Sequence, residues 1–149
     1  MRTIRFRGQD AKTGEWVYGY YATLHVARKD NHDVLLGYKE IPSIFNDEPG
    51  NRNGPYWHTV KPDTVGQFTG LRDINGKDIY EGDILKLGEE KAALVVRFVR
   101  GVFAFLWNDD LDDEFPCNAP THEWAEVVGN IHYHPRNKRS TRNPKFKKI

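Results

Sequence analysis

The sequence has very little of the chemistry that marks secreted proteins or membrane proteins. A single cysteine, Cys117, excludes an intramolecular disulfide and gives no sign of an oxidising compartment. No apolar run approaches the roughly twenty residues that span a bilayer, and the N-terminal segment MRTIRFRGQD lacks the apolar stretch of a signal peptide. We therefore expect a soluble, cytoplasmic protein with no membrane partner.

Motifs of catalysis and cofactor binding are also missing from the sequence. It contains no P-loop, G-x-G-x-x-G, CxxC or HExxH pattern. The only serines, Ser43 and Ser140, lie outside the G-x-S-x-G context of a nucleophile elbow. We expect no enzymatic activity, no cofactor and no catalytic or metal-binding residue.

One acidic segment has the right ligand chemistry for a hard cation but the wrong spacing. Its carboxylates are Asp109, Asp110, Asp112, Asp113 and Glu114. An EF-hand loop requires glycine at its sixth position, where a loop that begins at Asp110 has Phe115. A solvated hairpin loop is therefore favoured over a Ca²⁺ or Mg²⁺ site.

The histidines near the end of the chain form a second weak constellation. His132 and His134 are predicted on one face of a closing strand, and with His122 they would supply three nitrogen ligands for zinc. Cys117 would be a fourth ligand, or a nucleophile with His122 as its base. Because no zinc or protease motif surrounds these residues, surface histidines and a thiol without a role are favoured.

Charge is divided unevenly along the chain, although the formal net charge is only +1. The last fifteen residues hold seven of the 22 basic residues and no acidic residue, which leaves 15 basic against 21 acidic residues in 1–134, about −6. The basic residues of this tail are Arg136, Lys138, Arg139, Arg142, Lys145, Lys147 and Lys148. Three alternatives stay open: contact with the phosphates of DNA or RNA, contact with an acidic protein surface, or a solvated and disordered terminus.

Short alternating or apolar runs between turn residues predict strands along most of the chain. Residues 3–7 and 16–26 are predicted as the two strands of a hairpin around a loop at residues 9–15, and residues 34–38 as a short apolar strand. Residues 41–56 contain three prolines and are predicted as a loop, with at most a short helix over 41–45. From Val65 onward, five or six short strands are predicted, with Asn75-Gly76 as a type I′ turn and a tight hairpin at Gly101. Strands at that spacing favour a small barrel.

Residues 64–87, TVGQFTGLRDINGKDIYEGDILKL, resemble the central signature of the YopX-like proteins of phages and prophages. The pattern V-G-Q-[FY]-T-G-L-x-D-x-N-G-x-x-I-Y-E-G-D-I fits from Val65 to Ile84, and residues 4–18 and 124–131 resemble the opening hairpin and closing strand of that family. The resemblance implies an SH3-like barrel for this half of the chain and a smaller β unit before it. The family is known by sequence and fold, and the resemblance implies no particular activity.

We therefore predict a mainly β protein in which an N-terminal β unit, residues 1–63, is packed with an SH3-like small barrel, residues 64–134. A flexible basic tail, residues 135–149, follows. The hypothesis for function is a non-enzymatic binding or assembly module of phage or prophage origin, acting as a homo-oligomer that covers exposed strand edges. The alternative is a nucleic-acid-binding accessory protein that uses the tail.

Overall fold

The protein is mainly β, as predicted, in a computed structural model that describes residues 3–48, 56–89, 93–115 and 120–132. The strands are β1 (Phe6–Gln9), β2 (Trp16–Lys29), β3 (Leu35–Asn46), β4 (Tyr56–Thr59), β5 (Gly66–Arg72), β6 (Asp78–Tyr80), β7 (Asp83–Leu87), β8 (Ala93–Val99), β9 (Val102–Trp107), β10 (Glu114–Phe115) and β11 (Ala125–Asn130). All of their pairings are antiparallel. One turn of α-helix, α1 (Thr121–Trp124), precedes β11, and one 3₁₀ turn, Pro62–Thr64, lies between β4 and β5. In the described ranges, no helix is long and apolar enough to cross a membrane.

The chain divides into two compact units, residues 3–67 and the residues from 68 onward. In the N-terminal unit, the strand order is β4-β3-β2-β1, and residues 66–67 of β5 pair with the other side of β1. Its core consists of Val17, Ile44 and Val60, with Phe6 and Val65 packed against them. These residues come from five separate segments, so the core forms only when the sheet has its correct register.

Gly19 fixes that register where β1, β2 and β3 lie side by side. It pairs with Phe6 on one side and with Asn46 on the other. Its φ is +156°, and a Cβ atom there would lie 1.8 Å from the carbonyl oxygen of Phe45. Only glycine fits this position, because both the backbone conformation and the space exclude a side chain.

The predicted loop over residues 41–56 is wrong at both of its ends. Residues 41–46 belong to β3 and Tyr56 begins β4, so the short helix predicted for 41–45 is also absent from that described stretch. Pro42 did not break the strand because β4 pairs only with residues 43–46, so the missing N–H of Pro42 lies beyond that ladder. The carbonyl of Pro42 still accepts a hydrogen bond from the Val60 amide.

The C-terminal unit contains a five-stranded sheet of order β10-β9-β8-β7-β11 and a pairing of β5 with β6 through Phe68 and Arg72. Its core residues are Ile79, Leu85, Leu94, Val96, Phe105 and Ala125. Val95 and Leu106 are also fully buried, although they lie on the opposite face of β8 and β9. Both faces of this sheet are therefore apolar at its centre. The SH3-like barrel stays a prediction.

Of the two hairpin turns predicted for this unit, the turn at Asn75-Gly76 is not of the predicted type, and the tight hairpin at Gly101 is confirmed. Gly76 has a φ of +77°, but Asn75 is not in the left-handed region, so this turn is not type I′. The Asp73 carboxylate accepts hydrogen bonds from the amides of Asn75 and Lys77 and holds a three-residue loop instead. The turn between β8 and β9 has positive φ at both Arg100 and Gly101, as a two-residue type I′ hairpin requires.

Candidate functional site

The most unusual surface of the N-terminal unit is the distal part of the β2–β3 hairpin, residues 23–41, which we call the arm. None of these residues is buried. Five large apolar side chains are exposed on the arm: Val26, Val34, Leu35, Leu36 and Tyr38. Val26 is 47% exposed and Tyr38 is 64% exposed. Clustered exposed apolar side chains of this kind mark interaction surfaces.

The tip of the arm is an ordered turn with its own hydrogen bonds. The Asp30 carboxylate accepts hydrogen bonds from the His32 amide at 2.8 Å and the Val34 amide at 2.9 Å. Asp33 adopts a positive φ, and its carboxylate accepts a hydrogen bond from the Lys29 ammonium at 2.8 Å. Local polar contacts therefore hold the two strands together at a place where no core supports them.

The pairing of β2 with β3 gives the arm two different faces. Directly paired residues of antiparallel strands point to the same side. Tyr20 pairs with Phe45, Leu24 pairs with Ile41, and the Phe45 ring lies 5.2 Å from the Trp57 ring. We call this side of the β2–β3 hairpin, which runs from the aromatic side chains at the base to Leu24 and Val26 in the arm, the aromatic face. The other side continues into the core at Ile44.

Both edges of the arm lack a strand partner in the described part of the chain. β1 pairs only with residues 16–19 of β2, and β4 pairs only with residues 43–46 of β3. The β3 edge is irregular, because Leu36 has no partner where Arg28 pairs with Gly37 and Lys29 pairs with Leu35. The β2 edge is regular from residue 20 to residue 28 and contains neither proline nor glycine.

A half-buried ionisable pair lies in the same unit. His58 Nδ1 is 2.9 Å from Asp10 Oδ2, while Asp10 Oδ1 accepts hydrogen bonds from the amides of Lys12 and Thr13. Burial alone would raise the pKa of Asp10, but these hydrogen bonds outweigh it and lower the pKa. His58 Nε2 is buried and has no hydrogen-bond partner in the described residues, so no hydroxyl or thiol there is aligned with it as a nucleophile. The pair ties β4 to the β1–β2 turn.

The residues that carry the YopX-like resemblance have structural roles in the C-terminal unit. Asp73 is buried, and its second carboxylate oxygen accepts a hydrogen bond from the Val127 amide at 3.0 Å. Asp83 is also buried, and it accepts a hydrogen bond from the Tyr80 amide at 2.8 Å. These two carboxylates close tight turns, so the signature specifies chain geometry.

The predicted acidic segment is a turn of the β9–β10 connection. Asp109 forms two hydrogen bonds with the Arg97 guanidinium, at 2.7 and 2.6 Å. Asp110 accepts a hydrogen bond from the Asp112 amide, and Glu114 begins β10. In the described ranges, no three histidine, cysteine, aspartate or glutamate side chains are placed to share a metal ion.

The predicted histidine constellation is only partly described. Cys117 and His134 lie outside the described residues, as do all seven basic residues of the tail: Arg136, Lys138, Arg139, Arg142, Lys145, Lys147 and Lys148. The strand placement of His132 is wrong, because β11 ends at Asn130, whose side chain accepts a hydrogen bond from the His132 amide. His122 is exposed on α1.

Sequence reasoning missed both the arm and the Asp10–His58 pair. The arm had a signal, since the apolar run 34–38 directly follows the turn sequence Asp30-Asn31-His32-Asp33. The run was predicted only as a short strand, and nothing in it showed that the strand would extend beyond the core. The Asp10–His58 pair had no signal, because its members are 48 positions apart.

Comparison with known proteins gives one family and a distant structural likeness. No curated protein matches the sequence. Among solved structures, the chain is similar to the protein EF1440 from Enterococcus faecalis, with 21% sequence identity and a TM-score of 0.46 over 89% of this chain and 95% of that chain. The profile of the family described as YopX protein matches residues 5–137. Since that match covers most of the 149 residues, the chain belongs to the YopX family.

Proposed function

We propose that this YopX-family protein is a non-enzymatic binding and assembly module of phage or prophage origin that contacts protein partners through the arm. One observation carries the proposal: residues 23–41 form an ordered hairpin that exposes apolar side chains and has no core beneath it. An isolated two-stranded hairpin is marginal in water. Further contacts on the arm are therefore the expected source of additional stability.

The charge of the arm favours a protein as its partner. Residues 23–41 contain three basic residues, Arg28, Lys29 and Lys39, and three acidic residues, Asp30, Asp33 and Glu40. A surface with no net charge does not attract a polyanion, whereas exposed valine, leucine and tyrosine side chains suit an apolar protein surface.

The proposal predicts that Val26→Glu weakens partner binding without unfolding the protein. Tagged protein is used to capture partners from prophage-bearing bacterial cells, and each captured partner is then purified and its Kd measured. A carboxylate within the contact surface has to be desolvated without a counter-charge, so we expect binding at least about tenfold weaker. An unchanged thermal unfolding transition would show that the fold is retained.

Val102→Glu is the matched control. Val102 is 57% exposed, it also lies in a strand, and it belongs to the C-terminal unit. The proposal requires this variant to bind like the unmodified protein. Equal binding by Val26→Glu and Val102→Glu would contradict it, and so would a chain that captures no partner and stays monomeric.

The alternative function, nucleic-acid binding through the tail, is supported by one sequence observation. Seven basic residues in the last fifteen, with no acidic residue among them, give the tail the composition of an electrostatic arm for phosphates. Residues 1–134 have the opposite formal charge, about −6, and would repel the same backbone. Any binding of DNA or RNA would then depend on the tail.

A further inference from the structure

We propose that the outer edge of β2 in the arm pairs antiparallel with the same edge of a second copy of this chain, forming a twofold dimer. This inference rests on the proposed function, since it names the partner of the arm. Residues 20–29 of β2 have no strand partner on this side in the described ranges. Ten residues of strand present an edge on the order of 30 Å long, with its backbone N–H and C=O groups unsatisfied by a strand.

The two edges of the arm differ in how they are protected against further strand pairing. This difference indicates that β2, and not β3, provides the pairing edge. An edge that must stay single is commonly protected by a bulge or a proline. The β3 edge has both, at Leu36 and Pro42, and Gly37 adds a φ of +133°. Between residues 20 and 28, the β2 edge has neither device and keeps regular pairing with β3. It is therefore the edge that can accept a further strand.

The charge pattern of β2 favours an antiparallel partner. Its cations, Arg28 and Lys29, lie beside the tip, and residues 20–24 at the base are uncharged. An antiparallel arrangement places the tip of one arm at the base of the other and separates the cations, whereas a parallel arrangement would stack them. The net charge of zero over residues 23–41 also leaves no repulsion between two arms as wholes.

The end of β1 restricts the register of this pairing. Gly19 already pairs with Phe6, so a partner strand has free edge only from residue 20 onward. With His25 opposite His25 of the second copy, Lys29 of the second copy lies opposite Tyr21, so residues 21–29 of the two copies pair within the free edge. Leu24 then lies opposite Val26 of the second copy, twice by symmetry, so the aromatic faces join on one side of the sheet with these apolar side chains at the centre. The two arms together form a four-stranded sheet, which is large enough to be stable in water.

The first test is the mass of the purified full-length protein by light scattering over a concentration series. We expect a dimer for the unmodified chain and for Val102→Glu, and self-association at least tenfold weaker for Val26→Glu. Circular dichroism checks that each variant is folded. A monomer at every concentration would overturn the inference, and so would a dimer that Val26→Glu leaves unchanged.

Cross-linking tests the edge itself. In a Cys117→Ala background, His25→Cys should be joined to its counterpart by a thiol reagent that spans less than about 8 Å, because directly opposite Cβ atoms lie about 5 Å apart. Tyr38→Cys is the control, since two β3 strands in the four-stranded sheet would be separated by three strand spacings, about 14 Å. Cross-linking of Tyr38→Cys but not of His25→Cys would overturn the choice of β2.

The outcomes separate this inference from the function on which it rests. If the purified chain is monomeric but Val26→Glu still loses a captured partner, the dimer is wrong and the binding role of the arm stands. If Val26→Glu changes neither self-association nor capture, both proposals fail.

Discussion

Asp73 shows how a single buried carboxylate can organise a turn and a distant strand together. One oxygen accepts hydrogen bonds from the amides of Asn75 and Lys77, and the other accepts one from Val127, 54 positions along the chain. Burial alone would raise the pKa of Asp73, but the three amide donors outweigh it and lower the pKa below its ordinary 3.8. The charged form is therefore the form that stabilises the fold.

We predict that Asp73→Asn lowers the free energy of unfolding at pH 7 by about 2–4 kcal/mol, because hydrogen bonds to a charged acceptor are strong and the new NH₂ group opposes an amide donor. Since the pKa is lower in the folded protein, the carboxylate stabilises the fold fully above pH 3.8, and its contribution is lost as pH falls below that value. When the pH is lowered from 7 to 3, the free energy of unfolding should therefore fall less for the variant than for the unmodified protein. Urea unfolding at both pH values measures this difference.

Asp78→Asn is the control for that substitution. Asp78 forms an ion pair with Arg72 at 3.0 Å on an exposed surface. Exposed pairs contribute less than about 1 kcal/mol. A cost for Asp78→Asn as large as that for Asp73→Asn would refute the assigned role of the buried carboxylate.

At the scale of the element, the β2–β3 hairpin combines two environments in one pair of strands. Near its base, Val17 and Ile44 belong to the core of the N-terminal unit. Beyond residue 22, the same strands have solvent on both faces. Burial therefore changes sharply along the hairpin although the pairing of β2 with β3 continues through both parts. Stability and binding should accordingly depend on different residues of one element.

We predict that Ile44→Ala and Val26→Ala differ greatly in their effect on stability. Ile44 is 0% exposed, and deletion of such a side chain costs about 2–5 kcal/mol through lost burial and an unfilled cavity. Val26 has no core beneath it, so its truncation should cost less than about 0.5 kcal/mol. Urea midpoints, compared at a protein concentration below the dimer Kd, measure both changes. Similar costs for the two variants would show that the arm is supported by a core of its own.

At the scale of the whole molecule, the sequence pattern predicted the mainly β fold class better than it predicted where individual strands end. Alternation located β1 and the start of β2, because half-buried strands repeat every two residues. It did not locate the end of β2 at Lys29, since an exposed strand that is held by its partner needs no alternation. Pro42 was taken as a breaker, because the sequence does not show which edge of a strand lacks a neighbour.

The candidate site was less predictable than the fold for a related reason. The arm differs from the rest of the hairpin because no core lies beneath it. Burial of that kind depends on the register of strands that are distant in sequence. The turn at Asn75 illustrates the same limit, since the dipeptide Asn75-Gly76 favours type I′ locally while the Asp73 carboxylate selects another geometry. The pairing of distant strands decided the first case, and side-chain hydrogen bonds within the turn decided the second.

The uneven distribution of charge along the chain leads to a prediction about the binding of DNA and RNA. Binding of labelled DNA and RNA is measured across a salt series for the full-length chain and for a variant that ends at residue 135. If the tail is the contact, the truncated variant should lose all binding, and the affinity of the full-length chain should fall steeply with salt as counterions are released. Equal binding by both chains would exclude the tail as the contact.

The regular, unprotected edge of β2 also has a consequence for the protein inside a cell. An open edge recognises the backbone, so it does not distinguish the arm of a folded copy from a strand of a chain that is still folding. Capture of incomplete chains becomes more frequent as synthesis accelerates, because it depends on their concentration. We therefore expect the yield of soluble protein to be limited by expression rate, and slow synthesis to favour recovery of the folded form.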